Sequence, residues 1–128
     1  MNNPYNDNYP TCGETYATLR IYSKNSNVVE RLEIKPSDTS TGVDFNGYFY
    51  STKEILDSKD IRRHIDYLIE KFRPKIDILK KIQSEGSQID ISCYWLSKDG
   101  HGGPTLSPNQ LTELGKLNVD IWFDIYSV

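Results

Sequence analysis

Polar and apolar positions alternate through "ETYATLRIYS", residues 14–23, and divide the stretch into two faces. Thr15, Ala17, Leu19 and Ile21 fall on one side; Tyr16, Thr18, Arg20 and Tyr22 fall on the other. A period of two with one apolar face is the mark of a half-buried strand. In "NSNVVERLEIKP", Asn25, Ser26 or Asn27 can cap a short helix carrying Val28, Val29 and Leu32. Pro36 prevents its continuation, because proline lacks the N–H a helix interior needs. Segment 37–42 reads as a polar turn. In "VDFNGYFYS", Asn46-Gly47 stands between aromatic runs, which predicts a tight hairpin of two short strands.

From Ser58 onward the period changes. Ile61, Ile65, Leu68, Ile69, Phe72, Ile76 and Leu79 recur at three and four residues, the apolar stripe of a long helix lying on a sheet. Pro74 interrupts the stripe, so it either kinks that helix or opens a second one. Gly86 supplies the stop. "QIDISCYWLS" returns to a strand with Ile89, Ile91, Cys93 and Trp95 inward. "SPNQ" starts a helix, with Ser107 as cap, Pro108 first and Gln110 completing a capping box. Leu111, Leu114 and Leu117 form its apolar stripe, and Val119, Ile121, Phe123 and Ile125 give the last strand an inward face.

The order strand, helix, two strands, helix, strand, helix, strand predicts an α+β domain. Its first six elements follow the ferredoxin-like split βαβ pattern, with a helix and strand appended. The sheet is expected to be mainly antiparallel, with the helices on one face. Residues 1–13 are rich in Asn, Pro and Tyr without any period, and predict a flexible N-terminal arm ahead of one domain over 14–128.

Composition narrows the function classes. A chain of 128 residues can bury a core without a metal or disulfide staple. The formal charge of −3 argues against a dedicated nucleic-acid binder, which needs clustered Lys and Arg. No apolar run reaches the roughly 20 residues of a membrane span. The start carries neither the basic residues nor the apolar run of a secretory signal, so a cytoplasmic protein with two reduced cysteines is expected.

The stretch "SCYWLSKDGHGGPTLSP", residues 92–108, gathers the residue types that do chemistry. A nucleophilic cysteine must be accessible and electropositively surrounded, yet the alternation buries Cys93 between Ile91 and Trp95. Cys12, in the expected arm, would be the accessible thiol. His64 lies at the edge of the long helix's stripe and reads as a boundary residue over the core. Cys12, His64, Cys93 and His101 lack the close pairs of a zinc site, so no metal and no cofactor is expected. The glycines match neither a P-loop nor a dinucleotide turn; Gly100, Gly102 and Gly103 would permit positive φ where the chain leaves the strand. The loop still ends at a helix N-terminus, where free N–H groups favour an anion. Asp99, His101, Gly102, Gly103 and Thr105 therefore form one candidate site, for a small anion or a substrate.

The outward strand phase offers the second candidate. Tyr16, Arg20, Tyr22, Tyr94, Trp122 and Tyr126 would share the sheet face opposite the helices. Tyr, Trp and Arg are enriched in binding hot spots, and a broad aromatic patch commonly marks a partner surface. Such a face could stack RNA bases, but Asp90, Asp120 and Asp124 lie on it and would repel phosphates. A protein partner or a homodimer fits better.

"DISCYW", then "GGPTLSP", a leucine-bearing helix and "DIWFDIY" resemble the bacterial domain-of-unknown-function family 4279. "ATLRIYS" and "IRRHIDYLIEKFRPKID" resemble that family's first strand and long helix, extending the likeness over residues 14–128. The resemblance implies a small bacterial α+β domain and brings no activity with it. The expectation is a non-catalytic protein-binding or self-associating module, of which an immunity protein would be one kind. The glycine-loop site is the alternative.

Overall fold

The computed structural model describes residues 3–128, so the first two residues of the expected arm lie outside the described residues. The elements are β1 (Cys12–Ser23), α1 (Val28–Leu32), β2 (Asp38–Thr41), β3 (Asn46–Ser51), α2 (Ile61–Phe72), α3 (Ile76–Ser84), β4 (Gln88–Ser97), α4 (Pro108–Leu117) and β5 (Asp120–Ser127). They form an α+β structure around a five-stranded sheet of order β2-β3-β1-β4-β5. β1 pairs antiparallel with β3 and β4, and β2 pairs antiparallel with β3, whereas β5 runs parallel to β4. The sheet is thus mixed rather than mainly antiparallel. A helical crossover, here α4, returns the chain to the same end of the sheet and makes the last pairing parallel.

One face of the sheet carries the core. Ala17, Leu19 and Ile21 of β1, Tyr48 and Tyr50 of β3, and Ile89, Ile91 and Cys93 of β4 pack with Ile61, Ile65, Leu68, Phe72, Leu79, Ile82, Leu114 and Leu117 from the helices. The three- and four-residue spacing of the helical residues places them on one stripe, which is why they meet the sheet together. Pro74 sits in a 3₁₀ turn, Arg73–Lys75, between α2 and α3. The missing proline N–H is harmless there, because the first turn of a new helix does not use it. Asp60 caps α2, accepting the Arg62 N–H at 3.0 Å.

Several elements depart from the pattern. Asn46-Gly47 is not the hairpin turn. Thr41 pairs with Asn46, so the turn is Gly42–Phe45, Asn46-Gly47 begins β3, and the polar stretch from Asp38 is an exposed edge strand. A strand exposed on both faces shows no alternation, and its Thr and Ser residues resemble a loop. Leu111 is exposed, and Gln110 takes the buried place on α4. Gln110 closes the capping box, accepting the Ser107 N–H at 2.9 Å, and its amide donates to Arg62 O and Asp66 Oδ1, joining α4 to α2. Phe123 and Ile125 point to the helix side but stay 44% and 52% exposed. The reason is that α4 packs against α2 and α3, leaving the far half of β5 uncovered.

The segment expected to be a loose arm is hydrogen-bonded to the start of α2. Asp7 accepts from Arg63 Nε at 2.8 Å, Asn6 N–H donates to Asp60 at 2.8 Å, and Lys59 N–H donates to Asp7 O at 2.9 Å. Tyr5 donates to Asp66 while the Arg63 guanidinium lies 4.3 Å from the Tyr5 ring centre. Further along, Tyr9 meets Trp95 edge-on at 5.5 Å. Trp95 is 1% exposed beneath it.

Candidate functional site

All six outward residues named above lie on the sheet face away from the helices, and the register sets them in rows. Tyr16 of β1 stands opposite Tyr94 of β4, which stands beside Asp124 of β5. The Tyr16 and Tyr94 rings stack at 4.8 Å with 22° between planes, and Tyr126 extends the row at 5.5 Å from Tyr94. Four residues along β1, Arg20 stands opposite both Asp90 and Phe49. Its guanidinium is bidentate on Asp90, with Nε at 2.8 Å and Nη2 at 2.7 Å, and lies 5.4 Å from the Trp122 ring and 6.0 Å from Tyr22. The fork geometry of arginine allows the bidentate pair while the guanidinium stays within cation–π range of both rings.

Between those rows lie Ser51, Thr18 and Ser92, in register across β3, β1 and β4, with Trp122 at the end on β5. Short hydroxyl side chains between the tyrosine row on one side and the Phe49–Arg20–Asp90 row on the other make a shallow trough across the sheet. At its β5 side the surface opens into a cleft of about 690 Å³ whose walls include Arg20, Tyr22, Gln88, Asp90, Asp120 and Trp122. Trp122 and Tyr126 are the most open rings of the face, at 58% and 52% exposure.

Charge on the face is balanced toward acid. The Asp90 carboxylate raises the Arg20 pKa through its hydrogen bonds, partly opposed by burial, and occupies the guanidinium. Asp120 and Asp124 project beside it. Lys53 Nζ stands 5.3 Å from the Tyr16 ring, a contact absent from the sequence reading because Lys53 lies just past β3. Phe49, which meets Tyr22 edge-on at 5.8 Å, was also missed. The misplaced hairpin turn concealed its strand phase.

The glycine-loop candidates are placed differently. Asp99, His101, Gly102 and Thr105 are exposed and Gly103 is half-buried. The His101 carbonyl accepts from Ser97 Oγ at 2.9 Å, and the Thr105 hydroxyl lies 3.5 Å from that of Tyr9. Hydrogen bonds of the loop therefore run to the strand end and the N-terminal segment, and the α4 N-terminus is closed by its own capping box. Of the three glycines, Gly100 and Gly102 have positive φ, 78° and 76°, while Gly103 does not. A Cβ on Gly102 would also fall 2.5 Å from Thr11 Oγ1. Gly102→Ala should thus lower stability by about 1–3 kcal/mol, and Gly103→Ala should change it little. Chemical denaturation of the two variants checks the difference.

Both cysteines are free thiols, and both are buried, Cys12 at 1% and Cys93 at 0% exposure. Burial pushes the Cys93 thiol up to about 12 and the Cys12 thiol up to about 11. Cys12 is not the accessible thiol its place near the N-terminus suggested, because β1 begins there. A thiol reagent should label neither cysteine in the native protein and both in denaturant. Rapid native labelling of Cys93, read by intact mass, would contradict the strand phase. His64 is not a boundary residue either but wholly buried, and its two ring nitrogens meet Thr52 Oγ1 at 2.6 Å and Ser58 O at 2.8 Å. No group of three or more potential metal ligands occurs among the described residues.

A fold of this architecture, with an aromatic outer sheet face, defines a small α+β domain. The family model for DUF4279, a domain of unknown function, matches residues 13–128, and the chain belongs to that family. No curated protein and no solved structure matches the chain. Among the described residues no helix is long and apolar enough to cross a membrane.

Proposed function

We propose that the protein is a non-catalytic protein-binding module whose recognition surface is the aromatic outer face of its sheet. The observation that carries this reading is the Tyr16–Tyr94–Tyr126 row set across a hydroxyl-floored trough from Arg20, with Trp122 at the trough's β5 end. Rigid aromatic rings bury large area at little entropic cost, and Tyr, Trp and Arg dominate binding energy where they cluster. Strand propensity accounts for single tyrosines. It does not account for three rings in contact across two strand pairs, facing a guanidinium that itself lies near two further rings.

Asp90 already neutralises Arg20, and the acidic face opposes a phosphate backbone, so the partner is a protein rather than a nucleic acid. An immunity-type role belongs to this class. The underlying frame is read as a split βαβ unit, β1 to β4, with α4 and β5 appended. Two free buried thiols suit a reducing cytosol, and the family resemblance suggests a bacterial one.

The test compares proteins captured by the wild-type chain with those captured by Tyr94→Ala/Trp122→Ala, confirming each candidate with purified protein. Support requires a purified partner that binds the wild type at least about tenfold more tightly, a difference of about 1.4 kcal/mol. A partner bound equally by both, with Leu111→Ala as the surface control, would remove the reading.

A further inference from the structure

β5 is an edge strand with apolar side chains open on both sides. Trp122 and Tyr126 project outward, while Phe123 and Ile125 lie exposed on the helix side. The opposite edge, β2, is short and polar, as protected edges are. β5 contains no proline or lysine, and its charges are Asp120 and Asp124.

The backbone phase of this edge follows from one bond. Val128 N–H donates to Ser97 O at 3.1 Å, in line with the parallel pairing of Ser127 with Ser97. Alternation then turns the N–H and C=O groups of Tyr126, Asp124 and Trp122 toward β4, and those of Ile121, Phe123, Ile125 and Ser127 toward the open edge. We propose that a second copy of this chain pairs antiparallel with β5 about a twofold axis at Phe123, joining two sheets into one.

Three features select that occupant and register. A twofold axis perpendicular to the sheet keeps side-chain faces, so it must pass through a residue rather than between two. Centring on Trp122 would oppose Asp120 with the other copy's Asp124, and centring on Asp124 would oppose that carboxylate with its own copy; like charges directly opposite are unfavourable. Centring on Ile125 shortens the overlap and sets Phe123 against Ser127. Centring on Phe123 pairs Ile121 with Ile125 and Phe123 with itself on the helix side. On the outer side it pairs Asp120 with Tyr126 and Trp122 with Asp124. The outward-facing backbone groups of Ile121, Phe123 and Ile125 then exchange hydrogen bonds in alternate pairs, the antiparallel pattern. The pairing also continues each aromatic face into the other, so a partner would meet a surface of double width.

Sedimentation velocity on the full chain tests this. The wild type should sediment as a dimer that dissociates on dilution. Phe123→Asp and Phe123→Lys should each sediment as monomers, and an equimolar mixture of the two should restore the dimer, because the axis brings the opposite charges face to face. Restoration also shows that both variants fold. Tyr94→Ala, which alters the aromatic face and not the edge, should remain dimeric. A wild-type monomer at every concentration, a dimeric Phe123→Asp, or a mixture that stays monomeric would overturn the proposal. Dissociation by Tyr94→Ala would overturn it too, placing the seam on the aromatic face. Loss of partner capture with the dimer intact would bear only on the aromatic-face reading.

Discussion

Replacing His64 by alanine is expected to destabilise the protein by about 3–5 kcal/mol, the range for emptying a buried site and orphaning its polar partners. The imidazole joins three segments. Ser58 O can only accept, so Nε2 carries the proton and Nδ1 accepts from the Thr52 hydroxyl. That hydroxyl in turn accepts the Ala17 N–H at 3.0 Å, extending the β1–β3 pairing one step past Ser51. Thr52→Val should reproduce part of the loss, about 1–3 kcal/mol, by leaving the ring and the Ala17 N–H without a partner. Burial lowers the His64 pKa below its ordinary value, with the Ser58 hydrogen bond and Asp60 opposing. In the window between the ordinary value of about 6.5 and the lowered one, the unfolded chain holds more protons than the folded one. Stability is therefore complete above pH of about 6.5 and declines as pH falls through that window. Urea titrations across that range should show the decline in the wild type and a flatter profile in His64→Gln.

Asp60→Ala should rank next, at about 3 kcal/mol, because one carboxylate serves a helix cap, a segment anchor and an ion pair. It is 2% exposed and receives the Arg62 N–H, the Asn6 N–H and the Arg62 guanidinium, the last at 2.7 Å. Burial raises its pKa, but the Arg62 hydrogen bond and the N–H groups of Asn6 and Arg62 outweigh it and the net shift is downward. For a carboxyl the sign follows directly. Its contribution is present above the ordinary carboxylate value and is lost as pH falls through the lowered folded value. Asp7, held well below the usual range first by Arg63 and then by Ser58 and Asn3, acts in the same acid region. Asp60→Ala should also release residues 3–7, which limited proteolysis would detect as earlier cleavage there.

Much of this was legible in the chain wherever burial was one-sided. β1 and β4 alternate cleanly because one face meets helices and the other solvent, so Cys93 and the six outward residues took their correct sides. The α4 start was legible because a capping box is local in sequence. What failed depended on distant neighbours. β5 reads as half-buried by alternation, yet its helix face is open because α4 packs elsewhere. β2 alternates with nothing, since both its faces are exposed. The N-terminal anchor arises from Asp7 and Asn6 meeting α2 more than fifty residues away, at Arg63 and Asp60, and no periodicity encodes such a meeting.

The central claim, that the outer sheet face is the recognition surface, is tested most directly by chemical-shift mapping of the labelled protein against its captured partner. The account predicts that the Trp122 indole and the rings of Tyr16, Tyr94 and Tyr126 shift together with Arg20, while Asp99, His101 and Thr105 stay in place. Shifts confined to the Asp99–Thr105 loop, with the aromatic face unmoved, would contradict it.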